Sequence, residues 1–169
     1  MQYAEMRQVA HTGDVLLVEG QGWVSRLIRM LTGQNISHVA VLVWFGNTLW
    51  VAEMKEFFGY RLRPASLWVE DTLPGAVVYY GEAPVIVQTA GDDMDSFSVI
   101  TSYRNRRYSY RSLFLVWWAQ VRRKKIESGL VCSTFVQKVW ESCGKKFNQT
   151  ADPGDYMRLC QTTTPLRGM

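Results

Sequence analysis

Cysteine and histidine are both scarce in this chain, and neither is arranged as structural chemistry would need. Three cysteines, at positions 132, 143 and 160, are an odd number with no CxxC pair among them. That excludes a disulfide framework, and with two histidines in all a tetrahedral zinc site has little to build on. The thiols read as free, in a reducing compartment at least where the chain is made. Long apolar runs are missing too. A membrane-spanning helix needs ~18 to 20 such residues in a row, whereas Val39 to Phe45 and Leu113 to Ala119 are strand or core-helix lengths. The opening Met1-Gln2-Tyr3-Ala4-Glu5-Met6-Arg7 has no apolar h-region, so the chain is expected to be cytoplasmic as synthesised and not an integral membrane protein. Neither an internal repeat nor a low-complexity linker breaks it. A single domain over residues 1–169 is therefore expected, with a core about 13–145 and an irregular tail, 146–169, draped on the surface.

What is present suits a folded globular protein: 47% hydrophobic residues and 13% aromatic ones. A net charge of +4 is a mild bias towards an anionic surface such as cell-wall polymer, lipid headgroup or nucleic acid. It comes largely from Arg104-Asn105-Arg106-Arg107 and Arg122-Arg123-Lys124-Lys125, which read equally as solvated loops or helix ends. No nucleic-acid-binding motif accompanies them, so no specific nucleic-acid partner is expected.

Along the chain, Val15 to Val18 reads as a strand, and Trp23, Val24, Leu27, Ile28 and Leu31 recur at helical spacing. The β-branched run Ser37 to Trp44 and the segment Thr48 to Glu53 flank Gly46-Asn47 as a β-hairpin. Pro64 to Leu67 reads as a connection, Ala76 to Tyr80 as a strand, and Pro84 to Thr89 is ambiguous. Helices are expected over about 94–103, capped by Asp92-Asp93, and from Ser109 to Arg123. Strands and helices are grouped more than alternated, which favours α+β over a doubly wound sheet.

The chemistry centres on Cys132. Counting forward, Cys132, Phe135, Val136, Val139, Trp140 and Cys143 make one apolar helical face, with Gly129 before it and Gly144 after it. A thiol in a first helical turn meets unpaired N–H groups and the positive end of the helix dipole, which favour the nucleophilic thiolate. The competing reading is a small buried hydrophobe. A cysteine nucleophile also needs a base and a group to orient that base. His11 lies in a polar segment and is set aside. His38 opens an apolar strand, where an imidazole is costly without a partner. If Gly46-Asn47 is a two-residue turn, Ala40 faces Glu53, and Glu53 stands diagonal to His38 on the same face, roughly 7 to 8 Å away between backbones. A three-residue turn would send Glu53 to the other face. A strand-end histidine and a solvated carboxylate remain the alternatives.

Gly13-Asp14-Val15-Leu16-Leu17, Ser37-His38-Val39-Ala40-Val41, Val51-Ala52-Glu53 and Val131-Cys132-Ser133-Thr134-Phe135-Val136, in that order, resemble the circularly permuted branch of the NlpC-type papain-like hydrolases. This is the YiiX/YaeF-like group, related to the lecithin-retinol acyltransferases. Ordinary NlpC-type domains place the cysteine helix before the histidine strand; the permuted branch runs histidine, acid, cysteine. The resemblance implies an α+β papain-like fold with a small antiparallel sheet packed against the nucleophile-bearing helix. It implies Cys132 as nucleophile, His38 as general base and Glu53 as its orienting group, with no metal or organic cofactor needed. Tyr108 and Tyr110 stand where relatives often carry an aromatic–acid pair, but Ser109 replaces the acid and no role carries over.

The implied activity is hydrolysis of an amide bond in a peptide, murein stem peptide first, through a thioester. A cytosolic-looking chain acting on cell wall would need a holin or incorporation in a phage particle to reach it. The alternative substrate is a lipid, by acyltransferase, deacylase or thioesterase chemistry, which exposed aromatics among Trp44, Phe57, Phe58 and Trp68 would favour. A third reading is a structural or binding module in which the three residues are idle. Cys143 reads as core, and Cys160 as a tail residue without a role.

Overall fold

The structure is a computed structural model that describes residues 1–91, 95–109, 115 and 129–167. The expected Asp92-Asp93 cap, nearly all of the helix expected from Ser109 to Arg123, Tyr110 and the basic cluster 122–125 lie outside the described residues.

The elements run α1 (Tyr3–Val9), β1 (Val15–Gly20), α2 (Trp23–Thr32), β2 (His38–Phe45), β3 (Thr48–Lys55), β4 (Gly59–Pro64), α3 (Ala65–Thr72), β5 (Ala76–Gly81), α4 (Val85–Gly91), α5 (Asp95–Ser102), α6 (Cys132–Ser142), α7 (Asp155–Leu159) and β6 (Thr163–Pro165). Six strands form one sheet in the order β4-β3-β2-β1-β5-β6, every pairing antiparallel. The expected α+β class holds. Two expectations fail, and one segment for which no element was expected forms a helix. Pro64 to Leu67 is no mere connection: Pro64 ends β4, and its fixed backbone leads straight into α3. The N-terminal segment forms α1, whose Glu5 carboxylate accepts from the Gln2 N–H in front of the first turn. The tail is not a surface drape, because Tyr156 on α7 is fully buried and β6 pairs with β5 as an edge strand.

Strand alternation divides the interior in two. Val39, Val41, Val43, Ala52 and Met54 face a core built around α6, with Phe135, Val136, Val139, Trp140 and Tyr156. Ala40, Leu42, Leu49 and Val51 face a second core beneath α1 and α3, with Met6, Trp68 and Val69. Both faces of the central strands are covered, which is why β2 reads as a nearly unbroken apolar run.

The dipeptide Gly13-Asp14 fastens the two layers. Gly13 has φ of 99°, and a Cβ there would stand 2.6 Å from Val87 Cγ1, so only glycine fits. Its carbonyl accepts from Trp140 Nε1 at 2.9 Å, pinning α6 to the start of β1. Asp14 is fully buried and accepts four hydrogen bonds: at Oδ2 from the His11 N–H (2.7 Å) and Tyr80 hydroxyl (2.6 Å), at Oδ1 from the Ala83 N–H (2.8 Å) and Gln88 Nε2 (3.0 Å). One carboxylate thus ties the α1–β1 loop to β5 and α4. Asp14→Ala strands four donors in the interior and is expected to cost on the order of 3 kcal/mol or more. Denaturant titration checks this; a loss below about 1 kcal/mol would show that the network is dispensable.

Candidate functional site

α6 is placed by polar contacts at both ends. At its start the Val131 N–H donates to Thr134 Oγ1 at 3.0 Å, the half of a capping box that a residue at the third helical position supplies. Tyr156 Oη donates to the Ser133 carbonyl at 2.8 Å, and Trp140 packs edge-on against Tyr156 with ring centroids 5.1 Å apart. Gln137 Oε1 accepts from the Ala151 N–H at 2.9 Å, which brings the tail against the helix. Gly144, at φ 88°, closes the far end. All six residues of the apolar face expected from sequence are buried, Cys132 and Cys143 included.

The hairpin has the register that brings histidine and acid together. Phe45 pairs with Thr48 and Val41 with Ala52, so Gly46-Asn47 is a two-residue turn, with Gly46 at φ 57° as its first position requires. One step further along, Ala40 stands opposite Glu53. Both His38 and Glu53 lie on the second-core face, and His38 Nε2 meets Glu53 Oε2 at 2.8 Å. Glu53 is 1% exposed, so this is an interior pair and not a solvent-screened one.

Opposing effects act on the imidazole. Burial alone would lower its pKa; the neighbouring Cys132 sulfur and Glu53 carboxylate outweigh this and push it up to about 10. Glu53 shows the reverse balance: burial raises it, but His38 first, then Lys55 and Trp68, bring it down to about 2. The indole of Trp68, itself 1% exposed, approaches the carboxylate without closing a bond of good geometry, since Glu53 Oε1 and Trp68 Nε1 both lack a hydrogen-bond partner. Trp68 is one of the four aromatics whose exposure would have favoured a lipid substrate; it is buried beside Glu53 instead, a placement that strand periodicity could not reveal.

Cys132 and His38 approach from opposite sides of the sheet. Cys132 belongs to the core around α6, while His38 points towards the α3 side. Each is the first residue of its element, and the Cys132 sulfur is near enough to act on the His38 ring. The thiol is 2% exposed, and the adjoining Ser133 Oγ is buried without a partner. A cleft of about 400 Å³ opens on the His38–Glu53 side, bordered by Gln21 and Ser25 from the α2 wall and by Lys55, Arg61 and Arg63 from the β3–β4 wall. Cys132 is not part of its lining. The cationic wall went unseen in the sequence because its residues alternate with apolar ones along β4.

The other candidates separate from this centre. His11 is exposed, and its contacts are with Asp14: its backbone N–H donates to the carboxylate at 2.7 Å, and its ring Nδ1 stands 4.0 Å from the same oxygen. Cys160 is half-buried beside Gly81, and burial, with Asp14 and Glu82 nearby, pushes its thiol up to about 12. Trp44 donates from Nε1 to the Ala10 carbonyl and stacks under Arg7, away from the cleft. Phe57 and Phe58 are exposed, at 67% and 70%. Tyr108 is buried in the α6 core.

Among the described residues, no group of three or more His, Cys, Asp and Glu side chains is placed to hold a metal ion, and no helix is long and apolar enough to cross a membrane. No family model matches the sequence, and no curated protein matches it. Among solved structures, the chain is similar to the metalloprotein yiiX from Escherichia coli O157:H7 (DUF1105), with a TM-score of 0.62 and 14% identity over 93% of this chain and 96% of that one. At that identity the likeness is one of fold: the α+β architecture with its six-stranded antiparallel sheet is yiiX-like.

Proposed function

We propose that this protein is a cysteine hydrolase in which Cys132 attacks an acyl carbonyl, His38 moves the proton and Glu53 orients His38. The observation that carries the reading is the buried His38–Glu53 hydrogen bond, with the Cys132 thiol close enough to favour the protonated ring. A structural or binding module would have no need of the three in register. The motif order histidine, acid, cysteine supports placing the fold in the permuted NlpC-type, papain-like group.

In this scheme Nε2 of His38 is held by Glu53, leaving Nδ1 to face the sulfur and the leaving group. The Cys132 thiolate forms a C–S bond to the carbonyl carbon while the carbonyl electrons move onto oxygen. The oxyanion is met by the Cys132 N–H in the first turn of α6, where such groups lack intrahelical partners. Collapse breaks the C–N bond, and the departing amine takes the proton from His38, leaving a thioester. Water then attacks the thioester carbon and gives its proton to His38, which releases the acid and the sulfur. Because Cys132 lies behind the cleft lining, a productive substrate must displace part of that lining to reach the sulfur. The yiiX protein is described as a metalloprotein; the described residues here offer no matching donor set, and no step is written through a metal.

The motif resemblance directs the substrate towards an amide bond in a peptide, with cell-wall peptide first; the net charge of +4 suits an anionic wall polymer. A lipid acyl ester is the second reading, favoured by the exposure of Phe57 and Phe58 next to Glu56 at the cleft. Incubation with purified peptidoglycan and with fatty-acyl esters, followed by mass spectrometry of released products, separates the two. Peptide fragments are expected from the first; product from the esters alone would move the assignment to lipid.

Three further outcomes are expected. An electrophilic thiol probe at neutral pH should label the intact chain and not Cys132→Ala, since the Cys160 thiol, raised to about 12, stays protonated there. Labelling that survives Cys132→Ala removes the nucleophile from the scheme. Trp68→Phe deletes the indole N–H and leaves a smaller aromatic ring in its place; it should lower kcat roughly tenfold with KM unchanged, whereas an unaltered kcat would make Trp68 packing alone. The third concerns stability. His38 is raised from 6.5 to about 10, so its contribution is complete below pH 6.5 and is lost as pH rises through about 10. Glu53 is depressed from 4.5 to about 2, so its contribution is complete above pH 4.5 and is lost as pH falls through about 2. The unfolding free energy of the protein relative to His38→Gln should therefore be greatest between pH 4.5 and 6.5 and shrink towards pH 10. Chemical denaturation at each pH measures this, and a pH-independent difference contradicts the charged pair.

A further inference from the structure

The turn joining β3 to β4, residues 56–58, is built against ordinary economy. Phe57 takes φ of 69°, a left-handed conformation that a bulky aromatic rarely adopts and that glycine or asparagine would accept more readily. Its side chain is not buried in return: Phe57 is 67% and Phe58 70% exposed. The turn itself is closed, with the Phe58 N–H donating to the Lys55 carbonyl at 3.2 Å, so the two rings are presented outward from a fixed base.

The neighbourhood repeats the pattern. Trp23, at the start of α2 and 68% exposed, packs against Phe57 with centroids 6.3 Å apart. One turn along the same helix Arg26 is exposed, and Met30 beyond it is 73% exposed. On the other side Arg61 stacks over Phe58 at 4.9 Å. The exposed loop carrying Arg104, Arg106 and Arg107 is fastened beside the turn: the Arg106 carbonyl accepts from the Tyr60 N–H at 3.0 Å, and a Cβ on Gly59 would stand 2.5 Å from that oxygen. Phe58, Tyr60 and these arginines line one concavity of about 840 Å³. Glu56 is the acidic residue within the turn, while Arg61, Arg104, Arg106 and Arg107 stand beside Phe58.

We propose that the β3–β4 turn with Trp23 is a docking surface for an anionic lipid bilayer. Aromatic rings enter the headgroup–acyl boundary, and the arginines, on long apolar stems, pair with lipid phosphates. The charge selects the occupant: a neutral apolar partner would gain nothing from Arg61, Arg104, Arg106 and Arg107 beside Phe58. A single-stranded nucleic acid would meet the arginines and could stack bases on exposed rings, but Arg61 already covers a face of Phe58 and Trp23 packs against Phe57. Lys55 and Glu56 border the cleft at His38, so docking brings the cleft mouth to the bilayer. The inference rests on this surface alone and stands or falls apart from the proposed hydrolysis.

The test is co-sedimentation of the full chain with phosphatidylcholine vesicles and with vesicles of phosphatidylcholine mixed with phosphatidylglycerol, at low and high salt. Binding is expected to the mixed vesicles only and to weaken as salt rises. Phe57→Asn with Phe58→Ser should reduce it roughly tenfold or more, with the thermal midpoint retained because both side chains are exposed. Arg104→Glu with Arg107→Glu should abolish the preference for the mixed vesicles. Equal pelleting with both vesicle types, or full binding by the Phe57→Asn, Phe58→Ser variant, overturns the proposal. So does self-association of the native chain that the same variant removes, because the surface would then belong to a second copy.

Discussion

A two-residue turn decides what this molecule can do. Strand side chains alternate, so inserting one residue between β2 and β3 would send Glu53 to the face opposite His38. With Gly46 at φ 57° and Asn47 completing the loop, the ladder from Phe45–Thr48 to Val41–Ala52 carries the two side chains to one face and one end of the hairpin. Their bond then forms in the interior, where an unpartnered imidazole or carboxylate would be costly. The register that hides apolar residues on both faces is therefore the register that pairs His38 with Glu53.

That geometry was legible in the sequence because its periods are short. Period two, a Gly-Asn turn and an apolar run locate the hairpin, and a six-residue face at helical spacing locates α6. The failures share a cause. α3 follows β4 directly through Pro64, so no polar spacer announces it. Buried Tyr156 on α7 owes its position to Trp140 and to the Ser133 carbonyl, contacts across 16 and 23 residues that no local pattern encodes. Trp68 was visible as an aromatic, but only the tertiary fold puts its N–H under Glu53. Gly13-Asp14 was legible as a motif and not as a clamp, since its partners Tyr80, Ala83, Gln88 and Trp140 are spread over three elements and a connecting loop.

The clamp also explains how a thiol and an imidazole can meet when their elements lie on opposite sides of a sheet. A cysteine in the middle of α6 would face the sheet's apolar surface, and a histidine in the middle of β2 would be walled off by it. Only first residues escape. α6 must therefore be fixed along its axis so that its first turn is level with the end of β2. The Trp140–Gly13 bond sets this from the helix's far half, and the Tyr156 hydroxyl sets it at Ser133, one residue from the sulfur.

The same placement has a consequence for access. A sulfur 2% exposed behind an imidazole bonded to a buried carboxylate is shielded from bulk solvent, which keeps the charges strong by denying them water. Burial favours neutral groups, yet His38 is pushed towards its charged form, so its partners overcome the desolvation that surrounds them. Packing alone does not require this arrangement: replacing all three side chains with apolar ones of similar size would satisfy the interior with no charge to desolvate. Retaining a charged pair against that gradient, at the one point where helix and strand both begin, is the strongest physical reason to read the site as chemical and not merely structural.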